Sequence, residues 1–171
     1  MTTSDSVHIR RAEPRDVSAL GRFGAALVRA HHAFDSRRFL TPGPRVEEGY
    51  AHFLRTQLAE EDVAILVAER AGAIIGYVYA GVEPRSWKEL RDVAGFIHDV
   101  VVDPDARRAG VATRLVETAA AWLATRGVPR VMLWTVEKNQ EAQRLFERLG
   151  FRRTMIEMTR ECPVATADEG R

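Results

Sequence analysis

A pair of arginines next to a glycine, just after an apolar run, is the part of the sequence best suited to chemistry. The apolar run covers residues 96–102, and Arg107-Arg108-Ala109-Gly110-Val111-Ala112 follows an Asp-Pro turn. Apolar residues at helical spacing begin at Val111, so Gly110 is predicted to lie at a helix start. The first N–H groups of a helix lack intrahelical partners, and the helix dipole adds partial positive charge. The segment is therefore suited to binding an anion, and phosphate is the obvious one.

The side chains of this segment agree with a phosphate-binding function. Ala109, Gly110 and Ala112 are small and let a ligand approach the backbone, while Arg107 and Arg108 can form charge-assisted hydrogen bonds. Neither the Walker pattern nor the Rossmann glycine pattern is present. The alternative is an exposed turn that precedes an amphipathic helix and binds nothing.

His98, inside the apolar run, is the residue that could transfer a proton. Counted with a period of two, His98 shares a strand face with Val100 and Val102, and Asp99 points to the other face, where a structural role is expected. The alternative for His98 is a hydrogen-bonded core histidine.

Composition narrows the class of protein. Lys and Arg number 25 against 24 Asp and Glu, a net charge of +1, so no bulk field favours nucleic acid or an anionic membrane. The chain is long enough to bury a core without a metal or disulfides, and the lone Cys162 fits a reducing compartment. No charged-then-apolar leader opens the sequence and the apolar runs are short, which predicts a soluble cytoplasmic protein.

Periodicity predicts a single α/β domain over residues 7–160, with disordered ends at 1–6 and 161–171. The first half reads as a strand at 7–11, a helix from Pro14 to about Val28, a connector at 29–44, a helix at 46–58, and strands at 63–69 and 73–82 around an Ala71-Gly72 turn. The second half reads as the strand at 96–102, a helix from Val111, a strand at 131–136, a helix from Asn139, and a last strand at 151–159.

Two segments resemble the signatures of one known family. The pattern [RQ]-x-x-G-x-[GA] at residues 107–112 follows a strand that ends V-x-P, and residues 139–151 read NQEAQRLFERLGF. Together they resemble the GCN5-related N-acetyltransferases (GNAT), and the resemblance covers the chain from about Val63 onwards. It implies a mixed, mostly antiparallel sheet flanked by helices and splayed between the fourth and fifth strands. It also implies acetyl-CoA as the acetyl donor.

The resemblance assigns cofactor contacts. The backbone of the Val100-Val101-Val102 run would pair with the pantetheine arm, and the amides from Arg108 to Thr113 would hold the pyrophosphate. Asn139 would reach the cofactor arm near the thioester, although a helix cap is an equal alternative. Phe146 stands where many relatives have a tyrosine that protonates the leaving thiolate. A thiol titrates near ~8.5, so the thiolate can leave unassisted or through water.

The resemblance also assigns the acceptor side. His98 would be the general base, with Asp35, Glu83 and His31 as alternatives. The connector and the segment before the central strand nominate His31, His32, Phe34, Asp35, Tyr79 and Trp87 as acceptor contacts. Arg37, Arg38 and Arg45 make the connector basic, which favours an acceptor with a carboxylate over a polycation.

Two function classes remain open. The first is an acetyl-CoA-dependent N-acetyltransferase that acts on a primary amine of a small molecule or peptide by direct attack. The second is a non-catalytic acyl-CoA-binding sensor, which would keep the phosphate loop but need no base. A homodimer is also predicted, because the last strand is partly apolar on both faces and would form an uncovered sheet edge.

Overall fold

Residues 6–162, which the computed structural model describes, form one open sheet with helices on both faces. The five strands are β1 (His8–Arg11), β2 (Val63–Arg70), β3 (Ala73–Glu83), β4 (Ala94–Val102) and β5 (Val131–Leu133). The four α-helices are α1 (Val17–Phe34), α2 (Val46–Gln57), α3 (Val111–Thr125) and α4 (Gln140–Arg148). The predictions for residues 1–5 and 163–171 lie outside the described residues.

The strands follow the order β1-β2-β3-β4-β5 across the sheet. Neighbours from β1 to β4 are antiparallel, and β5 pairs with β4 in parallel. Only Gly95, Phe96 and Ile97 of β4 pair with β5, so the sheet opens beyond Ile97. The predicted sheet, mostly antiparallel and open between its fourth and fifth strands, is confirmed.

Two apolar clusters hold the layers together. On one face, α3 packs through Leu115, Ala119 and Leu123 against alternate residues of β2, β3 and β4. On the other face, Leu20 of α1 and Leu54 of α2 pack against a cluster that includes Tyr77 and Tyr79. The alternation of strand side chains between these two clusters is what a sheet covered on both faces requires.

The hairpin between β2 and β3 turns at the predicted residues. Ala71 and Gly72 both have positive φ, 50° and 80°, as a two-residue turn between twisted strands requires. Of the described helices none is long and apolar enough to cross a membrane.

Three predicted elements differ from the structure. The helix α1 runs to Phe34 rather than ending near Val28, because its last turns contain good helix formers even though they have lost the apolar face. The fifth strand has three residues, 131–133, instead of reaching 136. Residues 151–159, predicted as the last strand, form no strand and pair with none of the five described strands.

Candidate active site

A β-bulge in β4 fixes the direction of His98. Tyr79 of β3 pairs with Asp99 and Ala80 pairs with Ile97, so His98 is an extra residue without a partner on β3. The side chains of His98 and Asp99 consequently point to the same face of the sheet, towards α1 and α2. Val100 and Val102 pack on the α3 face. The predicted shared face for His98 and these valines is wrong, because counting by twos assumes a regular ladder.

The His98 ring lies among aromatic rings and beside one carboxylate. It stacks on Phe96 with 5.2 Å between ring centroids and contacts Tyr79 at 4.7 Å. Its Nε2 atom is 3.1 Å from Oε1 of Glu83, the last residue of β3. If the Glu83 carboxylate accepts a proton from Nε2, the lone pair of the neutral ring is on Nδ1. The pair therefore has the form of a base held by an orienting carboxylate.

Burial lowers the pKa of His98 below its usual value, and the negative charges of Glu83 and Asp99 oppose this shift. The ring is therefore neutral at neutral pH and able to accept a proton. The side chain keeps 28% of its surface exposed, so a substrate can reach it.

Asp99 has the structural role expected of it. Its Oδ2 accepts hydrogen bonds from the hydroxyls of Tyr50, 2.7 Å away, and Tyr77, 2.8 Å away. Burial raises the pKa of this carboxyl, and the two tyrosine hydroxyls oppose the shift. Because Tyr50 belongs to α2, this contact joins α2 to the strand that carries His98.

A small cavity of about 130 Å³ opens beside His98. Its lining combines acidic, basic and aromatic side chains: Glu83, Glu89, Arg91, Phe96, His98 and Trp134. Phe96, Arg91, Glu89 and Trp134 were not nominated from the sequence. For Phe96 a signal was available, because it precedes His98 by two residues and shares its face, whereas Trp134 follows β5 and comes close only in the folded chain.

The residues nominated for the acceptor site do not assemble as a group. Tyr79 contacts the His98 ring, and its hydroxyl donates to Oε1 of Gln57 at 2.9 Å. The others do not line the cavity: His31, His32, Phe34, Asp35 and Trp87. His31, His32 and Phe34 belong to α1, and Trp87 is 80% exposed on the loop between β3 and β4.

The two alternative bases on the α1 side are occupied by local contacts. Asp35 accepts hydrogen bonds from the amides of Arg37 and Arg38, which lower the pKa of its carboxyl. His31 Nδ1 lies 2.9 Å from the carbonyl oxygen of Leu27. Glu83 is the alternative that the structure brings to His98.

The arginines of the connector are paired with carboxylates. Arg38 binds Glu157, Arg37 lies 3.4 Å from Glu161, and Arg45 lies 3.6 Å from Glu48. Two of these partners are more than a hundred residues away in the chain, so the sequence did not show the pairing. The argument that a basic connector favours a carboxylate-bearing acceptor therefore loses its support.

The predicted phosphate-binding segment begins α3. Gly110 is the residue before the helix and has a φ of 74°, and Arg108 has a φ of 62°. The first amide of the helical ladder is that of Arg114, which donates to the Gly110 carbonyl oxygen at 3.1 Å. Within residues 6–162, the amides from Arg108 to Thr113 make no backbone hydrogen bond. They are the donors that the pyrophosphate of acetyl-CoA would need.

The unpaired edge of β4 is the second part of the predicted cofactor site. Beyond Ile97, no strand among residues 6–162 pairs with β4 on the β5 side, and this unpaired stretch includes Val100, Val101 and Val102. The Val102 carbonyl oxygen lies 3.5 Å from Nε of Arg107. The Asn139 side chain caps α4 by accepting a hydrogen bond from the Ala142 amide at 3.2 Å. Phe146 packs against Phe151 and the cluster under α3. This open edge is where the predicted pantetheine arm would pair as an added strand between β4 and β5.

Comparison with known proteins agrees with the geometry. The model of the acetyltransferase (GNAT) family matches residues 28–151, which is most of the chain. The chain belongs to this family, as the two sequence signatures had predicted.

Individual relatives carry acetyltransferase names. A mycothiol acetyltransferase of Thermomonospora curvata is 31% identical over 166 residues, 95% of this chain and 50% of that protein. The chain thus spans about half the length of this curated relative. An aminoglycoside N-acetyltransferase solved with CoA superposes with a TM-score of 0.72 at 16% identity, over 93% of this chain and 96% of the other. A Bacillus halodurans structure reaches a TM-score of 0.75 at 20% identity, over 92% and 99%. These two structures show the shared fold.

Proposed function

We propose that the protein is an acetyl-CoA-dependent N-acetyltransferase that acetylates a primary amine by direct attack, with His98 as general base. The observation that carries the proposal is the His98–Glu83 pair at the point where β4 and β5 separate. A sensor that only binds acyl-CoA would need the α3 segment, but it would have no use for a neutral, partly exposed histidine held by a carboxylate.

Different residues bind the cofactor and remove the proton. The amides from Arg108 to Thr113 bind the pyrophosphate, and the free edge of β4 at Val100 and Val102 aligns the pantetheine arm. Bound acetyl-CoA supplies the thioester whose carbonyl carbon receives the amine. An amine like that of lysine is protonated at neutral pH, with a pKa near ~10.4, so a base must remove a proton before attack.

His98 Nδ1 accepts that proton directly or through one water molecule. The Glu83 carboxylate stabilises the imidazolium that forms, since it lies against Nε2. Phe146 has no hydroxyl to protonate the leaving thiolate, and the thiol pKa near ~8.5 lets the thiolate leave without a phenolic acid.

The test is a thiol-release assay with acetyl-CoA and a panel of amines. His98→Ala should lower kcat/KM by ~10²–10⁴, as expected when a positioned base is removed, and should leave the Kd of acetyl-CoA unchanged. His52→Ala is the matched control, because His52 is exposed on α2 and should leave both quantities unchanged. Wild-type turnover in a folded His98→Ala protein would reject His98 as the base, and binding without any turnover in the wild type would favour the sensor.

A further inference from the structure

The cavity beside His98 has a negative balance of charge. Glu83 and Glu89 contribute two carboxylates and Arg91 one guanidinium, which leaves one negative charge when His98 is neutral. Arg91 is already satisfied: it donates to Glu89 and to the Pro84 carbonyl oxygen at 2.8 Å, and only 10% of its side chain is exposed. An arriving anion would therefore find no free cationic group in the described lining, whereas a cation would meet a carboxylate.

One oxygen of Glu83 is available to a ligand. Oε1 contacts His98, but Oε2 lies 4.0 Å from Nη2 of Arg91, which is longer than a hydrogen bond. An ammonium N–H placed there would be next to an acceptor oxygen and beside the Nε2 side of the His98 ring, so its proton would reach Nδ1 through the one water molecule of the proposed mechanism.

Trp134 completes the cavity with an exposed aromatic ring. It packs edge-on against Phe96 at 5.1 Å, yet 74% of its surface is open to solvent. The ring of a tryptophan attracts a cation through its quadrupole more strongly than the other aromatic rings do. Carboxylates combined with an open indole ring are a chemistry that recognises an ammonium group.

We infer that the acceptor is a compact primary amine without a carboxylate, whose ammonium is held by Glu83 and the ring of Trp134. This inference rests on the proposed function, because the same cavity presents the amine to His98. The cavity of about 130 Å³ is small and open to the surface, so it suits the amine end of an acceptor rather than a whole large molecule. Trp134, and not Trp87, is the tryptophan that determines specificity.

Matched pairs of acceptors test whether a carboxylate on the acceptor lowers kcat/KM. The pairs are tyramine and tyrosine, cadaverine and lysine, and n-butylamine and norvaline, which differ within each pair by one carboxylate. The amine of each pair should have a kcat/KM at least about fivefold higher than the amino acid once amine titration is accounted for, because the extra carboxylate faces a negative lining. Glu89→Gln should reduce this ratio.

Variants of Trp134 and Trp87 test whether the indole ring of Trp134 binds the ammonium group. Trp134→Ala should raise KM for the preferred amine by roughly 2- to 30-fold with little change in kcat, while Trp134→Phe should restore most of the affinity. Trp87→Ala, which removes a similarly exposed indole outside the cavity, should leave KM unchanged. Equilibrium binding of the same amines to the protein saturated with CoA should follow the same order among the variants.

The outcomes separate the inference from the proposed function. Turnover that is indifferent to Trp134 and to the acceptor carboxylate would overturn the inference and leave the acetyltransferase proposal standing. Binding of amines that depends on Trp134, with no acetylation, would overturn the proposed function and keep the site. Neither binding nor turnover with any of the six compounds would overturn both.

Discussion

His98 owes its chemical environment to one extra residue in β4. In a regular strand His98 would follow Val100 and Val102 into the apolar cluster under α3, where an imidazole would be buried among aliphatic side chains. The bulge separates His98 from these valines and leaves it on the face of Phe96, where Glu83 lies 3.1 Å away. The carboxylate offsets part of the cost of burial, and the opposing influences keep the ring neutral but able to take up a proton.

Replacing the Glu83 carboxylate should move the pH profile in a defined direction. The negative charge of Glu83 raises the pKa of His98, so Glu83→Gln should lower that pKa. Because the proposed base acts when deprotonated, the acidic limb of kcat/KM should shift to lower pH. The plateau should also fall, since the imidazolium loses its stabilising partner. The measurement is the pH dependence of kcat/KM at saturating acetyl-CoA.

Glu48→Gln provides the control for this experiment. Glu48 lies exposed on α2 and pairs with Arg45, so its replacement should leave the acidic limb of the kcat/KM profile in place. If the acidic limb of the Glu83→Gln profile stays at the same pH or moves to higher pH, the coupling between Glu83 and His98 is contradicted.

At the scale of elements, two glycines in α1 determine how closely α1 and α2 approach each other. A Cβ on Gly21 would lie 2.8 Å from the Ala51 Cβ, and one on Gly24 would lie 1.9 Å from Cδ1 of Tyr50. The close approach lets the Tyr50 hydroxyl reach Asp99 in β4. The helices α1 and α2 therefore support β4 through the Tyr50 side chain, which has room only because residue 24 is a glycine.

A methyl group at position 24 should destabilise this packing. Gly24→Ala forces the Tyr50 ring to move, and overpacking of this kind costs about 1–3 kcal/mol of the free energy of unfolding. Gly49→Ala is the matched control, because Gly49 lies in α2 with open space around it and should gain about 0.5–1 kcal/mol from helix propensity. Denaturant unfolding measures both. Equal stability of the two variants would show that α2 can shift without cost.

Two substitutions at the start of α3 should distinguish the effect of a negative charge on cofactor binding from the effect of backbone strain. Gly110 has a φ of 74° and open space around it, so Asp and Asn at this position bear a similar strain. Gly110→Asp should abolish acetyl-CoA binding because a carboxylate would lie where the pyrophosphate is expected, while Gly110→Asn should retain more of it. Calorimetric titration gives the two affinities. Undiminished binding by a folded Gly110→Asp protein would remove this segment from the proposal.

Across the whole molecule, the sequence predicted what depends on local pattern. The β2–β3 hairpin follows from Ala71-Gly72 between apolar runs, and α3 from the spacing after Gly110. The bulge at His98 was not predictable from period two, since β4 is apolar on both faces and a shift in alternation leaves no mark on its residue types. Contacts between distant segments, such as Arg38 with Glu157 and Phe96 with Trp134, required the folded chain.

The predicted homodimer now depends on exposed side chains rather than on a last strand. Met155, Ile156 and Met158 are 79%, 85% and 90% exposed, in a segment that follows α4 without entering the sheet. Apolar side chains grouped in this way favour a partner surface. Light scattering at micromolar concentration should give twice the mass of one chain, and Ile156→Glu should halve it.

Leu90→Glu tests whether any exposed apolar residue would have the same effect. Leu90 is 88% exposed on the loop between β3 and β4, and its replacement should leave the dimer intact. A single-chain mass for the wild type would reject the dimer.

The bulge in β4 also has an evolutionary consequence. It brings Ile97 and Val102, five residues apart, to the same face, where they pack against α3, while Phe96 and His98 lie on the α1–α2 face. Substitutions at the proposed acceptor cavity should therefore leave the α3 packing and the proposed phosphate-binding segment unchanged. A lineage of such proteins can change its acceptor through drift at a few positions on one face, without re-evolving the binding of the donor on the other.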